Sequence, residues 1–138
     1  MPKIAKIFEY DGEGIECVFK NKGWLLCIKN WKPNNDIRYI KALETHYESD
    51  EEFVLMQGRA VLLSASRNEN GFDIDLIKME PNKIYHIPKN TWFNTITQSD
   101  TKMMYIQAAD TTAENSKYID MTEAELVMVR KKAAELLE

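Results

Sequence analysis

A short segment near the middle of the chain places one histidine among carboxylates. Glu44 and His46 lie two residues apart, so on an extended strand both side chains point to the same face. A polar turn follows, and a second strand begins at Glu51 and is closed by Gly58. If these two strands pair, Glu44, His46 and Glu51 converge, and they could hold a divalent metal or transfer protons. The alternative is a solvated acidic hairpin with an ordinary histidine.

The strands that must position these residues are visible as short alternating or apolar runs. Turn signals separate them at even spacing, such as the Asn-Gly pair within residues 68–71, and no helical pattern intervenes. Such a series is typical of an all-β sandwich or barrel. Residues 114–119 are interpreted as a polar connector. The predicted strands cover residues 3–8, 15–19, 24–28, 37–46, 51–57, 60–65, 72–79, 84–87, 92–93 and 102–109.

The C-terminal segment has the pattern of a single amphipathic helix. Thr122 and Glu125 have the spacing of a capping box, and Met121 and Leu126 that of a hydrophobic staple. Apolar residues then recur at helical spacing to the end of the segment. We therefore expect a β-barrel domain over residues 1–120 and a helix over 121–138 that packs on the barrel or on a dimer partner.

The central segment resembles the first sequence motif of the cupins, which reads His-x-His, a short gap, Glu, six residues and Gly. His46 matches the second histidine, Glu51 the glutamate and Gly58 the glycine, whereas Glu44 stands in place of the first histidine. The resemblance implies a double-stranded β-helix, that is, a jelly-roll barrel, and dimers formed by sheet packing.

A second cupin motif, Pro-x-Gly-x-x-His, resembles the segment that starts at Pro88. In this chain Asn90 replaces the glycine and Phe93 replaces the histidine. Metal-binding cupins use three histidines and one glutamate, so the resemblance leaves at most Glu44, His46 and Glu51 as ligands for Mn, Fe, Ni or Zn. His86 is a speculative fourth ligand, although a histidine near the surface is the favoured interpretation. The sequence therefore predicts no firm cofactor, with a divalent metal as the alternative.

A jelly-roll barrel without a metal still has an interior that can take a small ligand. We expect a small polar metabolite to bind there, with the metal site degenerate. The alternative is an enzyme, either a sugar isomerase or epimerase or a metal-dependent oxygenase, in which His46 is the catalytic residue beside Glu44 and Glu51. A structural dimerisation module would instead have a filled interior. The predicted pocket residues are Tyr39, Glu44, His46, Glu51, Phe53, Phe93, Thr95 and Tyr105.

Composition limits the partners of the chain. The 138 residues carry a net charge of −4, and no basic run exceeds residues 130–132, which argues against nucleic acid and anionic membranes. Cys17 and Cys27 are too few for a disulfide framework, so free thiols are expected. The first residues lack the apolar core of a signal peptide, and no apolar run approaches the ~20 residues of a membrane span. A cytoplasmic homodimer is expected.

Overall fold

The computed structural model describes residues 4–138, which form strands, two short 3-10 turns and one helix. The 3-10 turns cover Pro33–Asn35 and Ala113–Asn115. The strands are β1 (Ile15–Lys20), β2 (Trp24–Asn30), β3 (Ala42–His46), β4 (Glu51–Gln57), β5 (Ala60–Asn68), β6 (Gly71–Lys78), β7 (Tyr85–Ile87), β8 (Trp92–Thr97), β9 (Lys102–Ala108) and β10 (Ser116–Asp120), and the helix is α1 (Glu123–Leu136).

The strands form two five-stranded sheets, and every strand pair is antiparallel. The first sheet has the order β1-β2-β9-β4-β7, and the second has the order β10-β3-β8-β5-β6. Successive strands repeatedly change sheet, as β3, β4 and β5 do. This confirms the predicted all-β jelly roll with one C-terminal helix.

Gly58 lies where the chain leaves the first sheet for the second. Its φ of +76° is in the left-handed region, and a Cβ there would lie 2.9 Å from the carbonyl oxygen of Asp100. Both the backbone conformation and the close approach require glycine. The last residue of the predicted motif therefore has a structural role.

Alternation along the strands divides the apolar residues into two clusters. One cluster fills part of the space between the sheets, and the other lies on the outer face of the second sheet, under the helix. Removing these side chains from water is the main favourable contribution to folding. The inner cluster contains Cys27, Phe53, Leu55, Ala60, Leu62, Met79, Ile87, Phe93, Met103 and Tyr105.

Helix α1 packs against the second sheet through the predicted apolar stripe. Leu126, Val129 and Ala133 are buried in one cluster with the outward-facing residues of that sheet. The capping box is confirmed, because Thr122 accepts from the Glu125 N–H and the Glu125 carboxylate accepts from the Thr122 N–H. Glu125 also accepts from the N–H of Phe72 at 2.6 Å, so the cap ties the helix to β6.

Three sequence-based expectations about elements were wrong. Residues 4–8 form no strand, and Lys3 lies outside the described residues. The strand expected over 37–46 begins only at Ala42, because residues 37–39 form a turn. The segment interpreted as a polar connector is mostly β10, an edge strand that pairs with β3. Its polar residues misled the prediction because one face of this strand borders a cavity rather than an apolar core.

Two further findings concern the thiols and the membrane. Cys17 and Cys27 lie opposite each other on β1 and β2, and their Sγ atoms are 2.6 Å apart. Free thiols at these two positions stay a prediction. Within residues 4–138, no helix combines the length and the apolar character that a membrane crossing requires.

Candidate functional site

A cavity of about 550 Å³ opens between the two sheets beside the inner apolar cluster. Of the predicted pocket residues, Tyr39, Glu44, His46, Glu51, Phe53 and Tyr105 line it. Lysines, amides and hydroxyls that the prediction did not include complete the wall. These additional polar residues are Lys29, Lys32, Asn34, Asn35, Lys41, Asn94, Gln107, Thr111, Thr112, Ser116 and Tyr118, and the remaining lining residues are Ile15, Pro33, Ala42 and Ala113.

Glu44, His46 and Glu51 converge on this cavity, as the spacing predicts. His46 Nε2 lies 3.6 Å from Glu51 Oε1 and 4.0 Å from Glu44 Oε2. The expected reason was wrong, however, since β3 and β4 belong to different sheets and do not pair. The side chains meet across the barrel interior, where His46 and Glu51 are buried. Their burial contradicts the alternative of a solvated hairpin.

The hydrogen bond of His46 Nδ1 determines which ring nitrogen carries the proton. Nδ1 lies 2.7 Å from Ser116 Oγ, and this hydroxyl donates its single proton to the carbonyl oxygen of Thr112 at 2.6 Å. Ser116 must therefore accept from His46, so the proton is on Nδ1. Nε2 is then the atom that gains or loses a proton, and it is the nitrogen closest to the two carboxylates. A hydrogen-bonded partner that fixes the tautomer is typical of functional histidines.

Burial and mutual attraction shift the pKa values of this pair. Burial raises the pKa of Glu51, and the neighbouring His46 opposes that shift only in part. Burial disfavours the charge on His46, but the Glu51 and Glu44 carboxylates outweigh it and raise the His46 pKa above its ordinary value. Both groups therefore hold their protons more strongly than in water, which keeps a transferable proton at the cavity wall.

Tyr118 lies beside this pair on β10, directly opposite Glu44 on β3. Partial burial and the negative charge of Glu44 raise the pKa of its phenol to about 12. Burial also raises the pKa of Tyr105 well above its usual range, and that of Cys27 to about 12. These groups stay protonated at neutral pH, so they act as hydrogen-bond donors rather than as bases.

Lys29 is the functional candidate that sequence reasoning missed. It is buried, and its Nζ donates to Thr95 Oγ1 at 2.9 Å across the space between the sheets. Burial, and next the charge of Lys32, lower its pKa to about 8. The predicted strand ended at residue 28, but β2 continues, and the alternation of Leu25, Cys27 and Lys29 would have placed this lysine inside.

Two predicted pocket residues lie behind the wall of the cavity. Phe93 is 2% exposed, and its ring centroid lies 5.6 Å from that of His46 and 5.9 Å from that of Phe53. Thr95 is equally buried and holds the amine of Lys29. Both residues therefore contact the side chains that line the cavity without lining it themselves.

His86, the speculative fourth ligand, lies on the outer face of the first sheet. It sits opposite Glu52 on β4, and its Nδ1 is hydrogen-bonded to the Glu52 carboxylate. Its side chain is 50% exposed. Successive strand residues face opposite sides of a sheet, so Glu51 points into the barrel and Glu52 points away from it. His86, which contacts Glu52, therefore also lies outside the barrel.

The donor set at the cavity fits a metal ion poorly. Across residues 4–138, no group of three or more His, Cys, Asp or Glu side chains has the arrangement of a metal site. Phe93 offers a ring in place of the fourth cupin ligand, and the buried ammonium of Lys29 faces the same cavity. A divalent cation here would have one imidazole, two carboxylates and a neighbouring positive charge. Glu44, His46 and Glu51 do not fit a resident metal.

Comparison by sequence identifies no relative, since no family profile and no curated protein matches the chain. Solved structures do match. A Bacillus halodurans protein superposes with a TM-score of 0.58 at 14% identity, covering 85% of this chain and 83% of that chain. An RmlC-like cupin with a double-stranded β-helix fold, from Methanocaldococcus jannaschii, gives a TM-score of 0.53 at 11% identity, covering 78% of this chain and 93% of that chain. The chain has the cupin fold.

A further cupin-like structure comes with a ligand. Streptomyces Pac13, a nucleoside dehydratase solved in variants with uridine, gives a TM-score of 0.56 at 10% identity, covering 84% of this chain and 87% of that chain. At such identities the likeness shows the fold alone, because one fold carries many activities. The function of this small cupin-fold protein must therefore be argued from its own cavity.

Proposed function

We propose that the barrel cavity binds a small polar metabolite. The observation that carries this proposal is an interior space of about 550 Å³ whose wall combines amides, hydroxyls and charged groups with a few aromatic rings. This volume lies in the range of small-ligand sites. A purely structural barrel would fill that space with side chains, as the inner apolar cluster does elsewhere in this barrel.

The binding proposal can be tested without knowing the ligand. Thermal-shift screening of a metabolite collection that includes uridine should yield polar compounds that stabilise the protein. His46→Ala should weaken the response to these compounds, and His86→Ala, which alters a histidine on the outer face, should leave it unchanged. Stabilisation that both variants preserve equally would place the ligand outside the cavity and contradict the proposal.

A second candidate function is enzymatic, and the fixed orientation of His46 favours it. Ser116 holds Nδ1, while Nε2 faces Glu51 and the cavity. A neutral His46 could take a proton from a ligand carbon, and the resulting imidazolium or a protonated Glu51 could return one to the ligand. This exchange suits an isomerisation, an epimerisation or the loss of water from a hydroxylated compound. The dehydratase activity of Pac13 makes the last reaction class a reasonable assay to run first.

Solvent exchange tests the enzymatic candidate. Compounds that bind are incubated with the protein in deuterated water, and NMR follows the incorporation of deuterium at carbon. Wild type and His86→Gln should incorporate deuterium at equal rates, whereas His46→Gln should be at least roughly 100-fold slower, as expected for loss of a general base. Exchange that persists in His46→Gln would remove His46 from that role.

A further inference from the structure

Lys29 places a positive charge inside the cavity that no carboxylate of the described chain contacts. The residue is 5% exposed, and the hydrogen bond to Thr95 Oγ1 uses one of its three N–H donors. No carboxylate oxygen of residues 4–138 lies within 4.0 Å of Nζ. Buried lysines are almost always paired, because an isolated charge is costly to remove from water. The position of Lys29 therefore suits the binding of an anion.

Within residues 4–138, the surroundings of Lys29 do not supply such an anion. Lys32 lines the same cavity and repels Lys29 strongly enough to contribute to its lowered pKa. Glu44 and Glu51 attract it only from a distance, since both carboxylates are directed at His46 Nε2. Lys41 is a third lysine of the wall. The lining thus contains three lysines against two glutamates, although the whole chain is acidic.

We propose that Lys29, together with Lys32, binds the carboxylate of the ligand, and that the ligand is a small hydroxylated carboxylic acid. This inference rests on the proposed metabolite-binding function and specifies its ligand class. Neutral donors and acceptors on the rest of the wall, such as Asn94, Gln107 and Ser116, suit the hydroxyl groups of such a compound.

A carboxylate fits this corner better than a phosphate group does. Phosphate sites commonly use arginine forks or glycine-rich backbone, and neither arginine nor glycine lines the cavity. A phosphate dianion would also lie near two buried or half-buried glutamates. A single negative charge between Lys29 and Lys32 gives the more balanced arrangement.

The experiment compares matched pairs of compounds that differ in the acid group. Ligand-observed NMR and calorimetry measure the binding of D-gluconate against D-glucitol, and of D-galacturonate against D-galactose, with inorganic phosphate as competitor. Wild type should bind the acid of at least one pair about 10-fold or more tightly than its neutral partner, as expected for a charge-assisted contact. Lys29→Met should abolish this preference, so that the acid and its neutral partner bind with similar affinity. Lys83→Met, which alters an exposed lysine outside the cavity, should keep it.

Each other outcome overturns a specific statement. Equal binding of acid and neutral compound, or a preference that survives Lys29→Met, overturns the carboxylate site and leaves the metabolite-binding function standing. Displacement by phosphate at lower concentration than by the acids overturns the choice of carboxylate. Absence of binding by all four compounds and by uridine overturns both proposals. Should Lys29→Met fail to fold, Lys32→Met replaces the half-buried second lysine and is expected to weaken the preference for the acid several-fold. An undiminished preference in Lys32→Met overturns the proposal that the two lysines together bind the carboxylate.

Discussion

The position of one proton at His46 depends on residues from both sheets. Ser116 fixes the tautomer from β10, and Glu51 reaches Nε2 from β4. Glu51 makes the larger of the two carboxylate contributions that offset the burial of the imidazole, and Glu44 makes the smaller. Replacing the Glu51 carboxylate should therefore change the acidity of His46 more than any other single substitution in the cavity.

Glu51→Gln should lower the pKa of His46 relative to wild type. The substitution removes a negative charge 3.6 Å from Nε2 while burial continues to disfavour the imidazolium. NMR titration of the His46 ring protons measures the shift. Glu52→Gln is the matched control, because the neighbouring carboxylate faces His86 on the outer face. An unchanged His46 pKa in Glu51→Gln would contradict the proposed pair.

The same shifts set the pH dependence of stability. Both pKa values are raised, so the folded chain binds more protons at this pair than the unfolded chain does. The contribution of the pair is thus fully present below the ordinary glutamate pKa and is lost as the pH rises through the raised values. In urea unfolding from about pH 5 to about pH 9, Glu51→Gln should gain stability relative to wild type. A relative loss over that range would show that the pair is ionised differently.

Metal content tests the donor set of the cavity. The donor set of Glu44, His46 and Glu51 fits a metal poorly, so elemental analysis of untagged protein should find less than stoichiometric Mn, Fe, Ni or Zn. His46→Ala provides the comparison. Stoichiometric metal in wild type that disappears in His46→Ala would contradict this expectation and favour the metal-dependent alternative.

Among the elements, helix α1 is the one whose local sequence determines its boundary. Thr122→Ala removes the hydroxyl that accepts from the Glu125 N–H and should lower the free energy of unfolding by about 1 kcal/mol. Urea denaturation measures the change. Glu123→Ala, which alters an exposed residue of the same turn, should cost no more than a few tenths of a kcal/mol. Equal effects of the two variants would show that the cap does not stabilise the helix end.

The contrast between α1 and β10 shows what a sequence can predict. A capping box and a staple lie within a few residues of each other, so the helix start is visible locally. Strand β10 exists because residues 116–120 pair with β3, about seventy positions earlier, and nothing in its polar composition reveals that partner. For the same reason the side chains that β10 adds to the cavity, Ser116 and Tyr118, were missed. Spacing placed Glu44, His46 and Glu51 together, but only the fold shows that they meet across two sheets.

At the scale of the molecule, the two sheets differ in how their outer faces are covered. Helix α1 covers the second sheet, whereas the apolar stripe across β2, β9 and β4 on the outer face of the first sheet is partly exposed, with Ile28 buried and Ile106 36% exposed. The strand register places Leu26 beside Ile106, and Met104 between Ile28 and Val54. Apolar patches of this kind commonly mark contact surfaces. We expect a second copy of the chain to cover this face.

Sedimentation analysis should therefore give twice the 16.1 kDa mass of one chain. Ile106→Lys places a charge in the stripe and should shift the equilibrium to monomer, because burying an unpaired charge at an interface is costly. Ile77→Lys is the matched control, since this isoleucine has similar exposure but lies on β6 of the second sheet. A wild-type protein that sediments only as a monomer would contradict the expected homodimer.

The meeting of Glu51 and His46 across the barrel also links the shape of the barrel to its acidity. No backbone hydrogen bond joins β3 to β4, which belong to different sheets. The packed rings of Phe53 and Phe93 therefore set the separation between Glu51 and His46. Coulomb attraction falls with distance, most steeply where water is excluded. A large ligand that pushed the sheets apart would weaken the attraction between the Glu51 carboxylate and the His46 imidazole, and a small ligand that let them close would strengthen it. The size of the bound ligand would thus affect how readily His46 releases a proton.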